Sequence, residues 1–393
     1  MPPATPQPAP DPGAGQDPPA AAPGRGALSA RGTLLAASAF CAVALVALAG
    51  VLDVPYVSLG PGPVRDVLAA GGRGALVEGP VEARDARALV EVSGAPTYPT
   101  DGRLDLTTVS LRGGPGLEVS LAEVLLDWRD EDVSVVPREL YYAPRTTQEE
   151  ADAQSAAEMT GSQEDAKVAA LRELGIEVPE TTTRRVRQVD PDAPAAGVLR
   201  AGDEITAVDG TRVDTFEALR AAVSALPAGA EVRLGVSRGG EEREVTTRTY
   251  APQGPTLLGV VPDVDYDLPF EVDIAIDDVG GPSAGTVFAL AVVDLLTPGA
   301  MTGGEHVAGT GAIAVDGTVQ PIGGLRQKVI GARRAGAGWF LAPAQECGEV
   351  AGSTPAGITV VGITTLHDAR EAVEDIGAGR GAQVATCEEV AAR

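Results

Sequence analysis

The chain has 393 residues, enough for two or three domains, and carries a formal net charge of -25. This acidity argues against a nucleic-acid-binding protein, because phosphates are bound by lysine and arginine side chains that displace counterions. Its 3 cysteines and 2 histidines are scattered, which argues against a zinc site. We find no phosphate loop of the form GxxxxGK[ST], so nothing in the chain predicts ATP use, and we expect no cofactor and no metal.

The N-terminal part divides into a polar tail and an apolar segment. Residues 1–30 are rich in Pro, Ala and Gly without an apolar period, which predicts a disordered tail. Residues 33–52 carry no charge and are long enough to cross a hydrocarbon core of roughly 30 Å, which predicts a transmembrane helix. Arg25 and Arg31 precede this segment, so the positive-inside rule predicts a single-pass cell-membrane protein with a cytoplasmic N-terminus and an extracytoplasmic remainder. The alternative is a cleaved signal peptide, whose apolar region is usually shorter, about 7–15 residues.

Residues 54–147 predict a β-rich extracytoplasmic region without a catalytic motif. Residues 104–111 and 132–136 are strand-like, and residues 121–127 between them are helical in pattern. The next stretch, residues 148–174, is acidic and then helical, with small apolar side chains repeating on one face.

Residues 166–252 contain a compact unit with clear turn signals. It predicts strands at 185–189 and 204–208, a helix capped by Thr215, and a hairpin around Gly239 and Gly240. The runs APAAG, LRAGDEI and VDG between residues 193 and 210 resemble a PDZ domain of the kind attached to extracytoplasmic bacterial proteases. The resemblance implies a groove between a strand and the helix that accepts a peptide as an added strand. The alternative is a small β-rich spacer without an open edge.

Ser283 is the candidate nucleophile. It follows two glycines and Pro282 and precedes an apolar, helical pattern over residues 284–296. Because proline favours the first helical position, we expect Ser283 in the first helical turn. Free N–H groups and the helix dipole there stabilise a developing oxyanion. On its own, however, a serine at such a place is usually only a helix cap.

Lys328 is the candidate base. The chain has 30 lysines and arginines, and only Lys167 and Lys328 are lysines, which leaves 28 arginines. Lys328 shares a predicted helix face with Leu325, Val329 and Ala332. Burial disfavours the ammonium form, and a neutral amine can accept a serine proton, whereas arginine does not deprotonate. The alternative is a lysine whose stem covers apolar surface.

Thr310 is the candidate orienting residue. Residues 307–315 and 318–322 flank a turn at Asp316 and Gly317, which predicts a hairpin that leads into the lysine helix. A hydroxyl in this hairpin can hydrogen-bond the lysine amine. The alternative is a threonine that simply favours a strand.

The runs GPSAG (281–285), GTGAI (309–313) and PIGGLRQK (321–328) resemble the proteolytic domain of the Lon proteases. The resemblance implies that Ser283 is the nucleophile, Lys328 the base and Thr310 the orienting hydroxyl. With the PDZ-like unit and the apolar segment, and without an ATPase, residues 33–376 resemble the membrane-anchored PDZ–Lon proteases of bacteria. The expected fold class is α+β multidomain: a transmembrane helix, a β-rich segment, a PDZ-like domain, a Lon-type α/β proteolytic domain over residues 255–376, and a C-terminal tail over residues 377–393.

One position departs from the family pattern. Many Lon proteases carry an aspartate three residues before the serine, and Gly280 stands there in this chain. The first prediction is an ATP-independent serine endopeptidase that cleaves extended or unfolded protein segments, with the PDZ unit recognising peptide. The alternatives are a proteolytically inactive peptide-binding scaffold, favoured by Gly280, and a non-proteolytic serine hydrolase, for which the chain has no separate nucleophile elbow. Expected partners are protein or peptide substrates and the membrane but no nucleic acid, and the resemblance alone leaves a homo-oligomer open.

Other polar residues are weaker candidates. His306 or His367 could replace lysine as the base, although Glu305 is the only evident carboxylate near His306. Cys347 and Cys387 either form a disulfide or remain free thiols, and spacing alone does not decide between these. Cys41 lies within the apolar N-terminal segment.

Overall fold

The computed structural model of the chain describes residues 30–68, 89–252, 254–276 and 279–392. The predicted disordered tail, apart from Ala30, lies outside these residues. The helices are α1 Ala30–Ala49, α2 Leu121–Asp127, α3 Gln148–Glu173, α4 Phe216–Ser224, α5 Gly285–Leu296, α6 Leu325–Arg334, α7 Leu366–Gly377 and α8 Cys387–Ala391. The strands are β1 Asp53–Val54, β2 Tyr56–Asp66, β3 Val90–Ser93, β4 Arg103–Arg112, β5 Val119–Ser120, β6 Ser134–Pro137, β7 Glu180–Val189, β8 Glu204–Val208, β9 Thr211–Arg212, β10 Glu231–Arg238, β11 Glu241–Arg248, β12 Val260–Tyr266, β13 Glu271–Ile274, β14 His306–Gly309, β15 Ala312–Ile313, β16 Val319–Gln320, β17 Trp339–Pro343 and β18 Thr359–Ile363.

One mixed sheet contains strands from both the N-terminal and the C-terminal parts of the described chain. Its strand order is β18-β17-β14-β4-β2-β6. The strands β4, β14, β17 and β18 run parallel to one another, while β2 lies antiparallel to both β4 and β6. Strands from residues 54–147 and from residues 306–363, which the sequence analysis placed in separate domains, therefore share one sheet.

The helix α5 lies at the centre of the main hydrophobic core. Every residue from Gly285 to Asp294 is buried, because almost the whole helix is apolar and neighbouring elements enclose it. One of these neighbours is α3, whose Ala166, Ala169 and Ala170 belong to the same core. The first residues that the sequence analysis assigned to the PDZ-like unit thus lie in a helix that packs on α5.

The helix α3 is continuous from the acidic stretch to its buried face. Its start is fixed by a capping box, in which the Thr147 side chain accepts from the Glu150 N–H and the Glu150 carboxylate accepts from the Thr147 N–H. The acidic half projects beyond the buried alanines, toward Gly280 and Gly281 of the segment that leads into α5.

A second sheet with its own core forms the PDZ-like unit. Its strand order is β11-β10-β8-β7-β12, with β9 paired to β8. The helix α4 starts as predicted, since the Thr215 side chain accepts from the Ala218 N–H at 3.1 Å. The strand β12 pairs with β7 at the end of the sheet and then leads through β13 toward Ser283.

The predicted hairpin ahead of the lysine helix has a different form. Residues 306–309 form β14 inside the large parallel arrangement, and only the short strands β15 and β16 pair as a hairpin. The chain leaves β14 at Thr310 because Gly311 adopts φ +150, where a Cβ atom would lie 2.7 Å from Thr286 Oγ1. Thr310 therefore lies in a bend at the end of a strand.

The first helix ends earlier than the apolar run that predicts it. α1 stops at Ala49, and a turn separates it from β1. No helix in the described part of the chain is both long and apolar enough to cross a membrane. The predicted transmembrane helix is therefore not supported.

The C-terminal residues pack against the large sheet. Cys347, in the 3₁₀ helix Ala344–Glu349, forms a disulfide with Cys387 at the start of α8. Both half-cystines are buried in a core that includes Val329, Phe340 and Val360. Of the two alternatives that the sequence left open, the structure shows the disulfide.

Candidate active site

Ser283 lies just before α5, and the expected position in the first helical turn is wrong. The N-cap residue is Ala284, and the first helical residue is Gly285. The Ser283 carbonyl oxygen is held from outside the helix, because it accepts hydrogen bonds from the Gly311 N–H at 2.8 Å and from Thr310 Oγ1 at 3.0 Å. The bend after β14 thus holds the segment that carries the serine.

Lys328 lies on the buried face of α6, as its spacing predicts. Leu325, Val329 and Ala332 are fully buried beside it, and Lys328 itself is only 2% exposed. The N-cap of the helix is Gly324, whose φ of +71 lets the chain turn sharply out of the preceding loop. The amine is therefore held inside the protein by the same apolar face that anchors the helix.

Thr310 joins the lysine to the serine segment. Lys328 Nζ donates to Thr310 Oγ1 at 3.0 Å, and that hydroxyl donates to the Ser283 carbonyl oxygen at 3.0 Å. Thr310 is fully buried, so water does not compete for either bond. Because a hydroxyl offers one proton and two lone pairs, both bonds can form at once. The three residues that the sequence analysis singled out are thus linked in one hydrogen-bonded chain.

Burial sets the protonation of the lysine. It lowers the pKa of Lys328 from 10.5 to about 7, and the negative charge of Glu346 opposes this shift. An amine of this kind is neutral in a large fraction of molecules near pH 7, which is the requirement for a general base.

A cleft of about 720 Å³ opens on Ser283 and Lys328. Residues 279–282 and 321–323 line it on the side of the two candidate residues, and Tyr141 and Tyr142 line it from the loop before α3. Residues of β2 and β4, including Arg65 and Thr108, also contribute. The cleft is large enough for several residues of an extended peptide.

The acidic half of α3 forms one wall of this cleft, which the sequence analysis did not foresee. Ser155 lies closest to the serine segment, since its carbonyl oxygen accepts from the Gly281 N–H at 3.0 Å. A Cβ atom at Gly280 would lie 2.0 Å from Ser155 Oγ. The glycine that departs from the family pattern is therefore explained by the close approach of α3. No local sequence pattern predicts this contact, because positions 155 and 280 lie far apart in the chain.

The two histidines lie away from the candidate dyad. His306 pairs with Asp105 at 2.6 Å at the start of β14, whereas Thr310 follows the other end of that strand. His367 lies 3.0 Å from Glu173 on the exposed side of α7. Neither histidine lines the cleft. The carboxylate partner of His306 is Asp105 rather than Glu305, because parallel pairing of β4 with β14 brings these residues together.

Within the described residues, no group of three or more His, Cys, Asp or Glu side chains is arranged to hold a metal ion. The polar groups at the cleft are instead hydroxyls, one amine and isolated charged side chains.

Comparison with known proteins finds two families within the chain. Residues 173–249 match the PDZ domain family, and residues 275–368 match the family described as Lon protease (S16) C-terminal proteolytic domain. The chain thus contains a PDZ domain and a Lon-type proteolytic domain. The resemblances to a PDZ domain and to the proteolytic domain of the Lon proteases are confirmed.

Curated Lon proteases are among the relatives of this chain. Lon protease 1 of Bacillus subtilis is 33% identical over 153 residues, which cover 37% of this chain and 20% of that protein. Lon protease 1 of Herpetosiphon aurantiacus is 44% identical over 78 residues, 20% of this chain and 9% of that protein. The chain therefore spans at most a fifth of the length of these relatives.

Solved structures match the PDZ part. The PDZ domain of an SdrC-like protein from Listeria innocua is 26% identical, with a TM-score of 0.20, over 20% of this chain and 92% of that chain. The corresponding domain of the SdrC-like protein from Listeria monocytogenes is also 26% identical, with a TM-score of 0.19.

Proposed function

We propose that this protein is an ATP-independent serine endopeptidase that uses Ser283 as the nucleophile and Lys328 as the general base. The observation that carries the proposal is the buried chain from Lys328 Nζ through Thr310 Oγ1 to the Ser283 carbonyl, at the wall of a cleft of peptide size. The Lon-type domain supports peptidase chemistry at the level of the family. ATP independence is supported by the absence of a phosphate-loop motif from this sequence.

The chemistry follows from the protonation of the lysine. The neutral amine of Lys328 accepts the proton of the Ser283 hydroxyl as Oγ attacks the carbonyl carbon of the substrate peptide bond. When the C–N bond breaks, the ammonium of Lys328 returns the proton to the leaving amine, and an acyl-enzyme remains. A water molecule then attacks the ester with the same amine as base, which releases the acid and restores Ser283.

The hydrogen bond from Lys328 to Thr310 orients the amine for these steps. In the ammonium form two further N–H groups stay free to face the serine hydroxyl, and in the neutral form the lone pair stays free to do so. Because Thr310 also holds the Ser283 carbonyl, one side chain positions both partners. We therefore assign Thr310 the orienting role that the family resemblance implies.

The PDZ domain is proposed to bind peptide segments of the substrate. PDZ domains accept a peptide as a strand added to a sheet edge. In the described residues β12 pairs only with β7, and its Val261 is 50% exposed. A peptide that pairs with β12 would bind to the part of the chain that leads, through β13, to Ser283. The PDZ domain would then present substrate to the cleft.

We also propose that the catalytic domain works outside the cytoplasm. The Cys347–Cys387 disulfide supports this location, because disulfides persist in oxidising compartments and are rare in the cytosol. Attachment to a membrane and assembly into a homo-oligomer stay predictions from the sequence.

The decisive test compares wild-type protein with Ser283→Ala on unfolded casein and on a fluorophosphonate probe that labels activated serines. We expect casein cleavage and probe labelling in the wild type and neither in Ser283→Ala. The matched control is Ser353→Ala, which removes a hydroxyl bonded only to a local carbonyl. Labelling of Ser283 without proteolysis of any protein or peptide substrate would favour a different hydrolase, and neither activity would favour a peptide-binding scaffold.

A further inference from the structure

Glu346 is a nearly buried carboxylate next to the candidate dyad. It lies in the 3₁₀ helix Ala344–Glu349, which follows β17, and its side chain is 9% exposed. Its Oε2 atom accepts a hydrogen bond from the Ile322 N–H at 3.0 Å. A carboxylate is costly to bury unless its charge is compensated, so its retention here requires specific partners.

The Ile322 amide lies in the wall of the cleft. Pro321, Ile322 and Gly323 line the cleft together with Ser283 and Lys328. Directly after them the chain turns at Gly324 into α6, and the Lys328 N–H donates to the Gly324 carbonyl at 3.1 Å. The bond from Ile322 to Glu346 therefore fixes the backbone that enters the lysine helix, one turn before the amine.

The charge of Glu346 also acts on Lys328. Each charge acts on the other: the carboxylate raises the pKa of Lys328 against the larger effect of burial, and the amine lowers the pKa of Glu346 against burial. Other ionisable groups are near. Arg65, Asp152 and Glu158 line the cleft, and the Glu349 charge acts on Glu346 and on Tyr141. Among the charged groups of the described residues, only Glu346 acts on the pKa of Lys328.

A covalent link holds the segment that carries Glu346. Cys347, the next residue, is bonded to Cys387 of α8, and both are buried. The carboxylate is therefore held from two sides, by the disulfide at its own backbone and by the Ile322 amide at its side chain.

We propose that Glu346 is a positioning residue of the proposed active site: it holds the Ile322 backbone at the cleft wall and supplies a negative charge that acts on the Lys328 amine. The inference deepens the proposed function, because it concerns the residue assigned as the base. Its consequence is that the Lys328 amine stays protonated to a higher pH than burial alone would allow, which leaves it able to return a proton to the leaving amine.

The composition of the chain provides a direct test. Lys167 and Lys328 are its only lysines, so protein labelled with ¹³C-lysine shows two ε-carbon signals, and Lys167→Arg assigns them. We would titrate the full chain, wild type and Glu346→Gln, by NMR. The glutamine has nearly the same shape but no charge. The matched control is Glu349→Gln, which removes the neighbouring acidic charge from the same 3₁₀ helix.

We expect the titration midpoint of Lys328 to fall by about one pH unit in Glu346→Gln and to stay unchanged in Glu349→Gln. The conservative variant Glu346→Asp, which keeps the charge, should have a Lys328 midpoint nearer to that of the wild type. It is used in place of the glutamine variant if that variant does not fold. The Lys167 signal reports whether each variant is folded. Equal Lys328 midpoints in the wild type and in the folded Glu346 variants would overturn the inference. Because the titration needs no substrate, its outcome does not depend on proteolysis. An inactive wild type would refute the proposed function but would not change the result of the titration.

Discussion

Lys328 donates a hydrogen bond from Nζ to Thr310 Oγ1 at 3.0 Å. The bond lies inside a core, where Lys328 is 2% exposed and Thr310 is fully buried. The pair connects α6 to the bend after β14, and through the Thr310 hydroxyl it reaches the Ser283 carbonyl.

The pH dependence of proteolysis should follow the deprotonation of Lys328. Since burial lowers its pKa to about 7, the neutral amine is the minor form below that value and the major form above it. We expect kcat/KM to rise about tenfold per pH unit below pH 7 and to level off above it. A pH–rate profile on a fluorogenic peptide measures this. Lys328→Arg, which stays charged, should show no activity at any pH; a flat wild-type profile between pH 5 and 8 would contradict the assignment.

Removal of the Thr310 hydroxyl should impair catalysis more than folding. Thr310→Val keeps the shape of the side chain but loses the bonds to Lys328 Nζ and to the Ser283 carbonyl. Bonds to charged groups contribute roughly 1.5–3 kcal/mol, so we expect kcat to fall about 10- to 100-fold. Thr310→Ser retains the hydroxyl and should recover most of the rate. Comparable kcat values for the valine and serine variants would show that the hydroxyl has no orienting role.

The lysine should destabilise the protein at low pH. Its pKa is lower in the folded state than the usual 10.5, so the folded state binds fewer protons than the unfolded state between pH 7 and about pH 10. Stability should therefore rise with pH across that window, and the cost of burying the charge is fully present below pH 7. Lys328→Met should raise the free energy of unfolding at pH 6, by an amount on the order of 4 kcal/mol, and the gain should shrink toward pH 10. Urea unfolding at several pH values tests this, and a gain that does not depend on pH would contradict it.

Gly280 and Ser155 should be energetically coupled. A Cβ atom at position 280 would lie 2.0 Å from Ser155 Oγ and 3.0 Å from its Cβ, so Gly280→Ala should push α3 away from the serine segment and lower both stability and activity. Ser155→Gly alone should cost about 1 kcal/mol, because glycine is a poor helix former. The double variant should lose less stability than the sum of the losses in the two single variants, and the difference should be about 0.5–3 kcal/mol. Strict additivity in a double-mutant cycle would argue against the contact.

The disulfide should stabilise the folded protein. Cys347 and Cys387 close a loop with a sequence separation of 40 residues. The loss of such a link in Cys347→Ser with Cys387→Ser should cost about 2–4 kcal/mol. Thermal unfolding of the double variant and of the wild type, each with and without a reducing agent, measures this. An effect of the reducing agent on the wild type alone is expected, and an equal effect on both proteins would contradict it.

Much of the fold could be predicted from local patterns. The helix over residues 121–127, the strand over 204–208 and the Thr215 cap are found as expected, because each depends on propensity, periodicity or capping within a short stretch. The buried face of α6 was predictable for the same reason, and with it the burial of Lys328.

Other features depend on contacts between distant parts of the chain. The Asp105 partner of His306, the Ser155 contact at Gly280 and the Glu346 bond to Ile322 join residues whose separation in sequence carries no periodic signal. The expected hairpin over residues 307–322 was wrong in part because β14 pairs with β4 and β17, and such non-local pairing overrides a local alternation of apolar residues.

By itself the sequence determined which residues are the candidates for the chemistry: Ser283 after two glycines and a proline, and Lys328 as one of two lysines among 30 lysines and arginines, on an apolar helix face. Residue type and helical spacing are local properties, so they can be read without coordinates. Only the tertiary structure decided that β2 and β4 join the sheet of β14, that α3 forms a wall of the cleft, and that Glu346 bonds to Ile322 ahead of the lysine helix. These depend on strand register and helix packing between segments far apart in the chain, which no single stretch of sequence specifies.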